Sequence, residues 1–95
     1  MTDVTTTYIN IIDQFLEEET LTVVMIDNYK FTDLDDILLE YIIEQTLNKY
    51  PQLIKYLCKQ QEVINRYSQL DINEKHKDML TQYLVTRTLQ QQEEE

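Results

Sequence analysis

Hydrophobic residues recur at steps of three and four along most of this chain, and that spacing is typical of helices that bury one face. Four segments show it. The first runs from Val4 to the acidic run Glu17–Glu19. Its inward stripe is predicted to be Val4, Tyr8, Ile12, Phe15 and Leu16, with Ile11 beside it. The chain is therefore predicted to be mainly α-helical.

The segment from Thr20 to Phe31 has a different pattern. Thr22 to Ile26 is rich in β-branched residues, and a second short run, Tyr29 to Phe31, follows the pair Asp27–Asn28. β-Branched and aromatic residues favour strands, and both Asp and Asn tolerate the positive φ of a tight turn. The pattern predicts one small β-hairpin between the first and second helices.

The second helix is predicted to begin at Thr32, as its N-cap, and to end at Lys49 or Tyr50. Pro51 cannot continue it, because proline lacks the backbone N–H that a helix interior needs. The core face of this helix is predicted to contain Leu34, Ile37, Leu38, Tyr41, Ile42 and Gln45.

Pro51 suits the first turn of a third helix, which is predicted to run to about Gln69. Asp71, with Glu74 three residues later, indicates the start of the fourth. The inward residues are predicted to be Leu53, Ile54, Leu57, Ile64 and Tyr67 on the third helix, and Ile72, Met79, Leu80 and Tyr83 on the fourth. Together these elements predict one compact four-helix bundle-like domain over residues 1–92, with a frayed acidic tail at 93–95.

Composition excludes several classes of site. The 95 residues include no glycine, so the phosphate-binding loops that need glycine are absent. One cysteine and one histidine cannot form a disulfide framework or a zinc site built on Cys/His pairs. No metal or other cofactor is expected. The lack of a long apolar run and of a targeting pattern predicts a cytoplasmic protein that does not enter a membrane.

Charge is concentrated in the first half of the chain. The net charge is −10, and residues 1–50 hold eleven acids and two bases, which gives −9. Residues 51–92 hold four acids and six bases, which gives +2. Such an acidic protein is not expected to bind nucleic acid directly, since that requires a surplus of Lys and Arg.

Part of this charge forms a stripe on the second helix. At 100° per residue, its members fall within about 80° of one another; they are Asp33, Asp36, Glu40 and Glu44. A second apolar ridge, Ile43, Leu47 and Tyr50, runs beside them at i, i+4 and i+7. A helix that is apolar on two sides is either central in a bundle or part of an interface.

These features predict a non-enzymatic binding module that engages a basic protein surface as an inhibitor or adaptor. The carboxylates would supply the charge and the apolar ridge the desolvated contact. A row of carboxylates can imitate nucleic-acid phosphates, so the partner could be a nucleic-acid-binding enzyme. In composition the chain is similar to small phage and viral anti-defence inhibitors, although it contains no family motif.

Three alternatives remain open. Lys55, Lys59 and Arg66 form a basic stripe on the third helix, so residues 33–69 could be a helix-turn-helix DNA-binding regulator. The acidic and basic stripes could also meet between copies in a homodimer or larger structural oligomer. Finally, both stripes could be ordinary solvated helix faces.

The sequence offers few candidates for catalysis. Asp36 and Glu40 could share a Mg²⁺ only if a second helix supplied further carboxylates. His76, on the apolar side of the last helix, and Cys58 lack evident partners for acid–base or nucleophilic chemistry. No enzymatic activity is expected.

Overall fold

The computed structural model describes the backbone of residues 4–93 and the side chains of residues 4–89. The described part is mainly helical. Its α-helices are α1 (Val4–Leu16), α2 (Glu19–Asn28), α3 (Asp36–Lys49), α4 (Ile54–Leu57), α5 (Gln61–Arg66) and α6 (Glu74–Glu93). Short 3-10 turns cover Phe31–Asp33, Pro51–Leu53 and Tyr67–Gln69. The predicted tail begins at the last residue of α6, and positions 94 and 95 lie outside the described residues.

The predicted β-hairpin is wrong, because residues 19–28 form helix α2. Thr22, Met25 and Ile26 are buried while Val24 is 46% exposed. A strand would place residues 22, 24 and 26 on one face, whereas a helix separates residue 24 from the other two. The segment thus follows the helical period, and packing of this buried face outweighs the β propensity of its residues.

Side-chain hydrogen bonds near the two ends of α2 support this outcome. The Thr22 hydroxyl has one proton to donate and lies within hydrogen-bond distance of two backbone oxygens, those of Phe15, at 2.9 Å, and Glu18, at 2.8 Å. The amide of Asn28 donates to the Val24 oxygen at 2.8 Å. Asp27 and Asn28, the predicted hairpin turn, are therefore the last two residues of helix α2.

Helix α3 is the centre of the fold. Its buried residues cover about half of the helix circumference; they are Leu38, Leu39, Ile42, Ile43, Thr46 and Leu47. It begins one turn later than predicted, since Asp35 rather than Thr32 is the N-cap and accepts a hydrogen bond from the Leu38 N–H at 2.9 Å. The helix ends before Pro51, as predicted.

The predicted third helix is interrupted. Helix α4 ends at Leu57, and α5 begins at Gln61 after a turn in which the Gln60 N–H donates to the Leu57 oxygen. The break changes the direction in which the residues after it face. As a result, Val63 of α5 is buried together with Leu57 and Cys58. The Gln60 side chain holds the turn against α2 through a 2.7 Å bond to the Ile26 oxygen.

The last helix begins after Asn73 instead of Asp71. The Asn73 side-chain oxygen accepts a hydrogen bond from the Lys75 N–H at 2.8 Å, as an N-cap does. Ile72 and Leu80 are buried, while Met79 and Tyr83 are half-buried against the core. The inward face that the sequence indicates for this helix is thus observed.

Connections in this glycine-free chain are made without left-handed backbone. No described residue has a positive φ. Single extended residues, such as Glu18 and Leu34, reverse the chain together with the short 3-10 turns. Within residues 4–93, no helix combines the length and the apolar character that crossing a membrane would require.

Two buried threonines provide a test of this packing. Both are fully buried, but Thr22 Oγ1 lies within hydrogen-bond distance of two backbone oxygens whereas Thr46 Oγ1 has no partner among the described residues. We expect Thr46→Val to raise the free energy of unfolding by about 1 kcal/mol, because it removes an unpaired buried hydroxyl. Thr22→Val should lower it by about 1–2 kcal/mol. Urea denaturation measures both, and a loss of stability in Thr46→Val would contradict the packing described.

Candidate functional site

The acidic stripe of α3 is hydrogen-bonded to the second half of the chain. Asp36 forms an ion pair with Arg66 at the end of α5. One turn later, Glu40 accepts a hydrogen bond from the Asp71 N–H at 3.0 Å. One turn later again, Glu44 accepts from the Asn73 N–H at 3.1 Å. The stripe therefore fastens the connection between α5 and α6 to α3.

Glu44 also contacts a buried histidine. Its carboxylate is hydrogen-bonded to Nδ1 of His76, which is 5% exposed. This contact explains why a polar ring is tolerated on the inner face of α6, because a buried polar group requires a partner. His76 is thus a packing residue held by α3.

The fourth predicted member of the stripe is separate from the others. Asp33 lies in the 3-10 turn before α3, so it does not share the helical phase of Glu40 and Glu44. It is exposed. The later start of α3 is the reason for this difference.

The predicted apolar ridge is part of the core. Ile43 is fully buried and Leu47 is 3% exposed, so neither is available to a partner. Tyr50 is half-buried, and its hydroxyl donates to the Leu16 oxygen at 3.0 Å. The ridge therefore joins α3 to α1, and its assignment to a binding surface is corrected.

A different apolar side chain lies beside the acidic stripe on the outer surface. Ile37, predicted to face the core, is 60% exposed. It borders a depression of about 270 Å³, which we call the acidic pocket. The pocket is lined by Ile37, Glu40, Tyr41, Glu44, Gln45 and Asp71.

The acidic pocket has three carboxylates and no cationic lining. The side chains described around it include no lysine or arginine. Glu40 accepts a hydrogen bond from a backbone N–H, and Glu44 accepts one from a backbone N–H and also contacts His76. A backbone N–H fixes a carboxylate without neutralising its charge. Helical spacing identifies these two glutamates but not Ile37, because spacing alone does not show which side of α3 faces outward.

Tyr41 joins the pocket to α1. Its hydroxyl donates to Asp13, and burial together with this hydrogen bond raises the pKa of Tyr41 to about 12. The hydroxyl therefore remains protonated at neutral pH and acts as a donor to the carboxylate. The ring is fixed at the edge of the pocket as a result.

The basic stripe does not form one surface. Lys55 and Lys59 both lie over the Tyr56 ring, at 5.2 and 5.1 Å from its centroid. Arg66 lies beyond the break between α4 and α5, where it donates to the Leu34 oxygen at 3.0 Å and pairs with Asp36. Its hydrogen bond to Asp36 raises the pKa of the guanidinium. The continuous basic recognition helix that the DNA-binding alternative requires is therefore not formed.

Cys58 is fully buried. Burial raises the pKa of its thiol to about 11, although the nearby Arg87 lowers it. Reactive cysteines have depressed pKa values and accessible sulfur atoms, so this thiol has the properties of a packing residue. Within residues 4–93, no group of three or more His, Cys, Asp and Glu side chains is arranged to hold a metal ion.

Comparison of this chain with protein-family models, with curated proteins and with solved structures finds no match. Function is therefore inferred from the site itself.

Glu44 tests the attachment of the α5–α6 connection. We expect Glu44→Ala to lower the free energy of unfolding by about 2–3 kcal/mol, because the Asn73 N–H and the His76 ring lose their acceptor. Glu44→Gln keeps an acceptor oxygen and should lose less. Urea denaturation gives the stabilities, and amide hydrogen exchange at Asn73 should be faster in Glu44→Ala.

The matched control is Glu17→Ala, which removes an exposed glutamate from the turn that follows α1. It should leave stability within about 0.5 kcal/mol of the unmodified protein. Equal effects of the alanine variants at 17 and 44 would show that Glu44 does not fasten the connection.

Proposed function

We propose that this protein is a non-enzymatic binding module that engages a basic surface of a macromolecular partner through its acidic pocket. It would act as an inhibitor or an adaptor, by covering that surface. The partner would supply lysine or arginine side chains, and a nucleic-acid-binding enzyme is the partner class with the most suitable surface.

The observation that carries the proposal is the position of Ile37. A large apolar side chain that is 60% exposed lies among three carboxylates, in a pocket whose lining includes no lysine or arginine. Lysine and arginine have an apolar stem and a charged end, so a surface that offers both an apolar contact and carboxylates is complementary to them. In this arrangement the stem lies on Ile37 and Tyr41, and the cation reaches Glu40, Glu44 or Asp71.

Preorganisation favours binding at this pocket. The two glutamates are already held by the backbone of residues 71 and 73, and the Tyr41 ring is held by Asp13. Ordering a flexible side chain costs about 0.5–1.5 kcal/mol on association. Carboxylates that are fixed beforehand avoid much of this cost.

The remaining acidic surface would increase the association rate. Residues 1–50 have a net charge of −9, and Glu17, Glu18, Glu19 and Asp27 are exposed. A surface of one sign attracts a partner of opposite sign over a Debye length, about 8–10 Å at physiological salt. Binding should therefore weaken as salt concentration rises.

Nucleic-acid mimicry is the specific form of this proposal. Asp36, Glu40 and Glu44 recur every four residues along α3, at a rise of about 6 Å. A partner groove that binds successive phosphates would meet successive carboxylates at this row. Asp36 is shared with Arg66, so an arginine of the partner would compete with an internal one.

A basic peptide that alternates lysine or arginine with small apolar residues is a direct probe. We expect the unmodified protein to bind it, and the affinity to fall as sodium chloride is raised. The double variant Ile37→Ser/Asp71→Asn removes the apolar contact and one exposed carboxylate, and should weaken binding at least about tenfold. Isothermal titration calorimetry measures the change.

A matched control makes the same chemical change elsewhere. Val24→Ser/Asp27→Asn removes an exposed apolar residue and an exposed carboxylate from α2. It should change affinity by less than about threefold, through the loss of one long-range charge. Equal losses in the two double variants would show that binding depends on net charge and not on the acidic pocket, and would refute the proposal.

A further inference from the structure

Helix α6 is covered on one side only. It has 20 residues and is about 30 Å long. His76 and Leu80 are buried on its inner face, and Arg87 donates to the Cys58 oxygen at 3.0 Å. On the side away from the core, Val85 is 50% and Leu89 54% exposed.

A groove runs along the uncovered side. Its volume is about 750 Å³. Ile54 of α4 and the half-buried Met79 and Tyr83 form its apolar part. The exposed Val85 and Leu89 line a second, smaller depression on α6, so that the uncovered surface of this helix carries apolar side chains on both sides of Gln82 and Thr86.

The residues of this face have the spacing of a coiled-coil seam. Positions at steps of four, three, four and three follow the groove side of α6; they are Lys75, the half-buried Met79, Gln82, Thr86 and Leu89, of which Met79 and Leu89 are apolar. Steps alternating in this way keep a stripe of side chains in contact with a second helix over several turns. We refer to these positions as the α6 seam.

The α6 seam is self-complementary in the antiparallel direction. A two-fold axis at position 84, midway between Gln82 and Thr86, sets each of these residues against the other in a second copy. The same axis sets Met79 against Leu89 of the second copy. Val85 then meets Val85 on one side of the seam, and Tyr83 meets Tyr83 on the other. An isologous dimer requires this kind of self-matching surface.

Charge favours a second copy over a basic partner at this face. Helix α6 has a net charge of zero, whereas the whole chain has a net charge of −10. Its three bases are Lys75, Lys77 and Arg87, and its three acids are Glu74, Asp78 and Glu93. Two copies that meet through α6 keep their acidic halves out of the contact. A basic partner gains no attraction from a neutral helix.

We infer that two copies of this chain associate through antiparallel pairing of α6, and that the pairing buries Met79, Gln82, Tyr83, Val85, Thr86 and Leu89 of each copy. This inference does not depend on the proposed function, since the acidic pocket lies on α3. A dimer of this form would present two acidic pockets to a partner.

Val85→Lys tests the pairing, because it places two like charges across the two-fold axis. Sedimentation equilibrium of the unmodified protein should show a species of twice the 11.5 kDa chain mass as concentration rises. Val85→Lys should raise the dissociation constant at least about tenfold. The matched control is Val24→Lys, at an equally exposed valine on α2, and it should leave the dissociation constant within about threefold.

A monomer mass at every concentration would overturn the inference. So would equal weakening by the two lysine variants. Circular dichroism should show unchanged helicity in both variants, since each replaced valine is exposed. A loss of dimer in Val85→Lys with retained binding of the basic peptide would support the dimer and leave the acidic pocket unaffected.

Cysteine cross-linking tests the direction of pairing. In the antiparallel register, Met79 lies against Leu89 of the second copy, whereas the two Met79 positions are about 15 Å apart along the axis. That separation is too long for a disulfide. An oxidised mixture of Met79→Cys and Leu89→Cys should therefore form cross-linked dimers, and neither variant alone should do so. Cross-linking within each variant alone, or none in the mixture, would contradict the register; the native Cys58 is buried and should not react.

Discussion

The burial of α3 over half its circumference is the constraint on which the rest of the structure depends. Its inner residues, from Leu38 to Leu47, contact the elements before and after it in the chain. In a chain of 95 residues, a single central helix lets several short elements share one core. The short helices α4 and α5 are marginal by themselves, and this packing is what stabilises them.

The outer half of α3 has a second role because its carboxylates reach across to neighbouring backbone. Glu40 and Glu44 hold the connection that leads to α6, and Asp36 holds the end of α5. These contacts use part of the acidic charge for folding, since Asp36 is paired with Arg66, whereas the pocket beside Ile37 has no lysine or arginine in its lining. Glu40 and Glu44 therefore both hold the α5–α6 connection and supply the charge of the pocket. Replacing either of them would affect stability and binding together.

The two ends of the molecule differ in the chemistry that they offer a partner. The first half is acidic and carries the α3 pocket, while α6 is neutral and leaves the apolar side chains of Val85 and Leu89 exposed. Attraction by charge therefore acts at one surface and desolvation of apolar side chains at the other. A dimer joined through α6 would use both surfaces, because the apolar contact would hold the two copies together and each copy would present one acidic pocket.

Helical periodicity by itself determined the mainly helical class, the end of α3 before Pro51 and the inward face of α6, because local spacing and proline geometry fix these features. It also placed the acidic stripe between two apolar stripes on α3. Only the tertiary structure decided that Ile43 and Leu47 face inward and Ile37 outward, since both stripes have valid helical spacing. The same reason explains α2 and the break after Leu57: burial against distant residues outweighs β propensity and helix continuity, and a sequence read locally does not contain those contacts.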